Sequence, residues 1–341
     1  MSGSSWVRLK LVVSIVAWFG ASACCTASSK RLLSSLAPHS CAMAVTTMQF
    51  ICAALLGVFG GCFRSLSVPP RIVRMHLLGI CFSYTAGFCL LNLSLNNLDA
   101  SFAETVRSLE PLFTSGFTYA FGLRSGMLGS KTGTCLISLL SGAALVMWAQ
   151  PALSPRGLLL GMLANAVFAL RSIFVKMAQD KLEVHNLPRL DGNSLFVITH
   201  LIGLGFLLPL ALLSGAPQCA HVATSRQGLS RLVAGSALGF ALYNRLSLSV
   251  LMLLNAVSHS VLNALRRAVT VVSAALLLHS AVSPLSWMGI SVIITSSALY
   301  VLAAAAEKRE EATQGRAPVG TAALAVAELE TLCAPSQSQS R

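Results

Sequence analysis

Charge is scarce in this sequence: Asp, Glu, Lys and Arg make up 10% of its 341 residues, against about 25% in an average soluble domain. That scarcity excludes a soluble cytosolic enzyme. No C-x-x-C pair and no His-rich spacing occurs, so the ten cysteines do not read as a metal centre or a disulfide framework. Most of them (Cys24, Cys25, Cys41, Cys52, Cys62, Cys81, Cys89, Cys135) fall within or at the ends of apolar runs, where cysteine behaves as a small apolar residue. Ser/His/Asp constellations and phosphate-cradling glycine loops are missing too. The chain carries no enzyme signature and implies no cofactor and no metal.

What is present is apolar: 55% hydrophobic residues and a mean hydropathy of +0.74. The apolar residues are spread along the chain in runs near 9–29, 40–62, 76–96, 100–122, 133–150, 157–177, 194–214, 232–253, 257–279 and 285–305. Each approaches the roughly 20 residues that cross a bilayer as a helix. The runs are continuous rather than alternating, and open strands leave backbone groups unsatisfied in lipid. The expected fold is therefore an all-α integral membrane bundle of ten helices.

The net charge of +13 comes from 24 Lys and Arg against 11 acids. Fourteen of the basic residues fall on the side of the N-terminus (Arg8, Lys10, Arg64, Arg71, Arg74, Arg124, Lys131, Lys176, Lys181, Arg189, Lys308, Arg309, Arg316, Arg341). Five fall on the other (Lys30, Arg31, Arg156, Arg226, Arg231). By the positive-inside bias both termini are expected in the cytosol. With no soluble basic domain or recognition motif, nucleic acid is excluded as a partner. The sequon at Asn92 lies inside a span, which argues against glycosylation.

Tyr84, Asn96, Ser101 and Arg107 recur as Tyr243, Asn255, Ser260 and Arg266, each 159 positions later. Either chance in a low-complexity apolar chain or a repeat accounts for this. A repeat of five spans makes the second half inverted, with a substrate site near the midplane between the halves. The divisions are then 1–150, 151–306 and a cytosolic tail, expected to be disordered, at 307–341.

Five arginines fall inside spans: Arg107, Arg171, Arg245, Arg266 and Arg267. A charge there costs on the order of 2.5–3.5 kcal/mol on insertion scales and marks a functional site by default. Glu104 and Glu110 each lie one helical turn from Arg107, which allows a self-neutralising ladder. The adjacent Arg266 and Arg267 have no acid between 257 and 279, so they require an anion or a water-filled cavity. Arginine's planar fork suits phosphate. Tyr243 is either a hydrogen-bond donor to that anion or an interface anchor. Arg171 is placed to line the cavity, Lys176 reads as a cytosolic flank of its span, and Arg245 is unexplained.

These residues carry a resemblance. The run from Ser101-Phe102 through Arg107 to Glu110-Pro111 resembles the S-F-x-x-T-[IV]-K-x-x-E-P segment of the triose-phosphate translocator family, sugar-phosphate/phosphate antiporters of the drug/metabolite transporter superfamily. Tyr243-Asn244, His259 and Asn263-Ala264-Leu265-Arg266-Arg267 resemble its Y-N…H…N-x-x-K-R signature. Arg171 to Lys176 and Lys30-Arg31 are similar to weaker family segments. The resemblance implies ten helices in two inverted five-helix repeats and exchange of triose phosphate, phosphoenolpyruvate or another phosphorylated sugar-type metabolite for inorganic phosphate. It also implies phosphate held by Arg107, Tyr243, Arg266 and Arg267, with Arg171, Glu104, Lys30 and His259 near the cavity. Two family lysines are arginine here. Phe88 and Leu91 stand where plastid members often have a histidine and a hydroxyl, and Ala103-Glu104 is similar to the endomembrane branch.

Two other functions share these features. A nucleotide-sugar/nucleoside monophosphate antiporter of the same fold also needs basic residues, although the Arg pair with Tyr243 favours a sugar phosphate. A non-transporting membrane receptor or scaffold has no reason to keep Arg107 and Arg266 in lipid. Because the first run begins near residue 9, an uncleaved signal anchor and an endomembrane (Golgi/ER-type) home are expected, with the outermost plastid membrane next.

Overall fold

The computed structural model describes residues 3–36, 41–60, 69–121, 130–149, 154–225, 228–254, 256–280 and 282–313. Among these residues there are twelve α-helices and no strand. They are α1 (Gly3–Ser35), α2 (Ala42–Phe59), α3 (Arg74–Asn97), α4 (Ala100–Arg107), α5 (Glu110–Ala120), α6 (Ser130–Ala149), α7 (Pro155–Val184), α8 (Gly192–Leu213), α9 (Ala216–Ser225), α10 (Leu229–Leu253), α11 (Ala256–Leu277) and α12 (Pro284–Thr313). The tail beyond residue 313, the 150/151 division, Asn255, Cys62, and Arg64, Arg124, Arg226, Arg316 and Arg341 of the charge count lie outside the described residues.

Among the described residues eight helices are long and apolar enough to cross a membrane: α1, α2, α3, α6, α7, α8, α11 and α12. The fourth and eighth expected runs are the two that differ. The fourth is split into α4 and α5, because the ring of Pro111 has no N–H for the carbonyl of Arg107 and clashes with it. Ser108 and Leu109 close the gap with tighter bonds, Leu109 N to Val106 O at 3.0 Å and Leu112 N to Leu109 O at 3.0 Å. Back-bonding by the Ser108 hydroxyl to the Glu104 carbonyl (3.1 Å) favours the bend. The eighth run is α10, a continuous helix of 25 residues that carries Tyr243, Asn244 and Arg245.

The principal packed pairs are α3 with α7, α1 with α10 and α6 with α12. At the α1–α10 crossing a Cβ on Gly239 would lie 2.9 Å from the backbone nitrogen of Cys25. Only glycine allows that approach, and it sets Trp18 and Ser22 of α1 beside Tyr243 of α10. Phe50, Phe88, Phe168, Phe240 and Tyr84 fill the centre of the bundle.

Two expectations about small residues are resolved here. Cys41 is not a free apolar residue: it is disulfide-bonded to Cys219 of α9, 178 positions away. A single bridge between an unpatterned pair has no spacing signature, which is why the sequence did not disclose it. Asn92 is buried and donates to Thr46 Oγ1 (2.8 Å) and Gln49 Oε1 (2.9 Å), so its side-chain nitrogen is engaged in the core.

Candidate functional site

Arg107 ends α4 at the break, with its guanidinium over the rings of Phe88 (5.6 Å) and Phe168 (5.4 Å). Aromatic faces hold the cation by its quadrupole attraction and leave the edge of the fork available. The nearest carboxylate is Glu104 at 4.0 Å, one turn earlier on the same helix. Glu104 is itself buried and takes a hydrogen bond from Thr26 of α1 at 3.0 Å through Oε1.

On α11, adjacent positions diverge by about 100°, and the two arginines go separate ways. Arg266 donates to Ser22 of α1 and to Asn263 (3.0 Å), and lies over the rings of Tyr243 (5.5 Å) and Trp18 (5.9 Å). Among the described residues no carboxylate pairs with it. Arg267 pairs with Glu110 of α5 at 2.5 Å and donates to the Arg107 carbonyl at 2.7 Å. The expectation that both arginines lack a counter-ion is thus corrected for Arg267: its acid comes from another helix. Glu110, across the break from Arg107, belongs to that pair rather than to a ladder. Arg267 fills the carbonyl that Pro111 leaves open and ties α11 to the α4–α5 break.

Arg107, Glu104, Tyr243, Ser22 and Thr26 line one cavity of about 30 Å³, with Phe88 and Leu91 on its wall. Within it, Glu104 Oε2 and Arg107 Nε are buried without a hydrogen-bond partner, as is Trp18 Nε1 nearby. Orphaned polar atoms of this kind cost about 1–3 kcal/mol each. Two such atoms on the wall of one cavity mark a place built for a polar occupant. A cavity of about 30 Å³ holds a water or two by the one-probe-sphere measure.

The other predicted residues sit at either end of this site. Lys30 caps the last turn of α3, donating to Leu95 O (3.0 Å) and Leu98 O (2.7 Å). It lines a larger cavity of about 500 Å³ together with Arg31, Asp99 and His279. On the opposite side, Arg171 lies over Tyr84 (5.5 Å) and shares a cavity of about 290 Å³ with His200, Asn244 and His259. His259 stacks on Trp18 (5.1 Å between centroids, 11°) and contacts Ser247 Oγ at 3.1 Å. Trp18 therefore links His259 to Arg266. Arg245 points to Asn193 of α8 (2.5 Å), away from the central cavity.

Trp18, Ser22, Thr26 and Gln49 are site residues that the sequence reading passed over. Ser22, Thr26 and Ser29 lie at i, i+4 and i+7, one face of a helix, and that polar stripe on an apolar run was the available signal.

A profile of the Triose-phosphate Transporter family matches residues 9–301. Curated relatives include "Phosphoenolpyruvate/phosphate translocator 1, chloroplastic" of Oryza sativa subsp. japonica, 26% identical over 75% of this chain and 63% of the relative. Another is "Phosphoenolpyruvate/phosphate translocator 2, chloroplastic" of Arabidopsis thaliana, 30% identical over 65% and 58%. A third is "Triose phosphate/phosphate translocator, non-green plastid, chloroplastic" of Brassica oleracea var. botrytis, 27% identical over 76% and 64%. The chain spans about three fifths of the length of these relatives.

Proposed function

Since the chain belongs to the triose-phosphate transporter family, we propose that it exchanges a phosphorylated small metabolite for inorganic phosphate across a membrane by alternating access. The observation that carries this reading is the pair Arg107 and Arg266. Each is held on aromatic faces, they come from α4 and α11, and both meet the wall of the central cavity: Arg107 lines it with Tyr243, and Arg266 lies behind two of its lining residues, bonded to Ser22 and over the Tyr243 ring. Arg266 has only neutral hydrogen-bond partners, and a phosphate dianion supplies the charge that two guanidiniums lack. The names of the relatives, phosphate translocators for phosphoenolpyruvate and triose phosphate, support the substrate class.

In this reading α4 and α5 together make one crossing and α10 another, giving ten with the eight long apolar helices. The units 1–150 and 151–306 are inverted repeats, with the 159-position recurrence of Tyr84 and Arg107 as support. Arg107 then belongs to the first repeat and Arg266 to the second. The cavities of about 500 Å³ and 290 Å³ on either side of the small central one are the two approaches that alternate. Without an anion the two guanidiniums repel, which resists closure of the empty carrier. A bound phosphate or ester removes that repulsion and permits it, and exchange is favoured over leak. Arg267 and Glu110 act as positioning residues that couple α11 to the α4–α5 break.

With the termini cytosolic, Cys41 and Cys219 fall on the far side. A disulfide there supports an oxidising lumen of Golgi/ER type over the outermost plastid membrane. The test is reconstitution into liposomes loaded with phosphate, followed by uptake of labelled phosphate esters. Phosphate-dependent uptake is expected. Uptake of a nucleotide sugar against its nucleoside monophosphate, with no phosphate exchange, would select the alternative antiporter.

A further inference from the structure

Beyond the guanidiniums, the polar wall of the central cavity is largely self-satisfied. Gln49 Nε2 donates to Ser29 (3.1 Å) and Ser236 (3.0 Å), while Asn92 donates to Gln49 Oε1 (2.9 Å). Glu104 is the exception. It is 4% exposed, its Oε1 is occupied by Thr26 (3.0 Å), and its Oε2 has no partner. Among the described residues lining the cavity it is the only acid.

Its position along the site is fixed by two helices. On α4, Glu104 lies one turn before Arg107, about 4.5 Å along the axis. On α1, its partner Thr26 lies one turn beyond Ser22, the partner of Arg266, about 6 Å along the axis. Glu104 therefore sits one turn past the guanidinium pair, toward Ser29, Gln49 and Asn92. The cavity as it stands has room for a water or two; in a state opened to admit substrate, an ester held by its phosphoryl group at Arg107 and Arg266 extends its carbon skeleton into that layer.

We propose that Glu104 is a specificity-determining residue that accepts a hydrogen bond from a substrate hydroxyl. The transported ester is then a phosphorylated compound with an uncharged, hydroxyl-bearing skeleton, such as a triose or other sugar phosphate, and not a phosphorylated carboxylic acid. An ionised carboxylate accepts and cannot donate, so a hydroxyl satisfies Oε2. A substrate carboxylate offers it no proton and adds a like charge in a site of low dielectric. Discrimination of this sort rests as much on repelling the wrong ligand as on holding the right one. The inference rests on the phosphate site proposed above.

The experiment uses the full chain in phosphate-loaded liposomes, with labelled dihydroxyacetone phosphate and 3-phosphoglycerate offered at equal concentration. Both carry a phosphoryl group on three carbons; the far carbon is a hydroxymethyl in the first and a carboxylate in the second, and the middle carbon a ketone in the first and a hydroxyl in the second. The parent is expected to prefer dihydroxyacetone phosphate by about tenfold or more. Glu104→Gln, whose amide donates to a carboxylate, is expected to shrink that ratio by about threefold or more whatever its overall rate. Comparable uptake of the two esters by the parent, or an unchanged ratio in an active Glu104→Gln variant, overturns this inference while phosphate exchange stands. If the variant does not insert, the parent ratio decides. Absence of phosphate-dependent uptake of either ester by the parent overturns the phosphate reading, and this inference with it.

Discussion

Glu110→Gln is the most informative test of how the site is held. The substitution keeps the volume of the side chain but leaves Arg267, whose side chain is 8% exposed, without its carboxylate. Unit charges 4 Å apart attract by about 4 kcal/mol at an effective dielectric of 20. Removing one partner of a buried pair typically costs about 3–5 kcal/mol. Arg267→Gln strands Glu110 in the same way and also removes the donor at 2.7 Å to the Arg107 carbonyl. That carbonyl cannot be recovered by the helix, because residue 111 is proline, and an unpaired buried carbonyl costs about 1–3 kcal/mol. Glu110→Gln is therefore expected to lose about 3–5 kcal/mol, and Arg267→Gln, with the carbonyl penalty added, about 4–8 kcal/mol. The double variant keeps only the carbonyl penalty, about 1–3 kcal/mol, and should be more stable than either single. Thermal unfolding of detergent-solubilised protein, with gel filtration to score monodisperse material, measures the order. Losses that simply add in the double variant would show that the two side chains do not interact, and the proposed tie between α11 and the α4–α5 break would be wrong.

Arg107→Ala and Arg266→Ala are each expected to abolish phosphate exchange in protein that still inserts. Arg→Lys at either position should be milder, since charge is kept and only the fork is lost. Arg245→Ala, which removes a contact to Asn193 away from the cavity, is the control and should retain exchange. Parent-rate exchange by correctly inserted Arg107→Ala or Arg266→Ala would refute the site. Cys41→Ser or Cys219→Ser should lower stability by about 2–4 kcal/mol, seen as a lower unfolding temperature with no effect on the parent's sensitivity to metal chelators. Both termini should be open to protease in vesicles whose cytosolic face is outward, and tags protected there would contradict the orientation.

How much of this was legible in the sequence depends on what kind of signal each residue emits. Arg107 and Arg266 announced themselves because a charge inside an apolar run has few reasons to be there. The partner of Arg267 did not, because Glu110 belongs to a different helix and a single run can only display its own acids. The break after Arg107 had its cause in plain view at Pro111, but the hydropathy of the run carried across it. Trp18, Ser22 and Thr26 are neutral residues in a first helix, and their role exists only through partners on other helices, Arg266 and His259 of α11 and Glu104 of α4. The Cys41–Cys219 pairing joins positions that no local pattern relates.

Of the expected spans the fourth is the one broken in two, into α4 and α5, and it carries Glu104, Arg107 and Pro111. The coincidence has a physical basis. A membrane helix that presents charges, hydroxyls and a freed carbonyl to a cavity must give up hydropathy and regular hydrogen bonding to do so, and it is tolerated because neighbouring helices satisfy the groups it exposes. Here Arg267 satisfies the carbonyl and Thr26 one oxygen of the carboxylate, four aromatic rings hold the two guanidiniums, and Glu104 Oε2 is left open to the cavity. Regular helix gives way at Arg107, where part of the chemistry is concentrated, while Arg266 and Arg267 stand on α11, itself a long apolar helix, so in a chain of this kind a broken span is one place to look for the substrate site and a charge inside an intact span is the other.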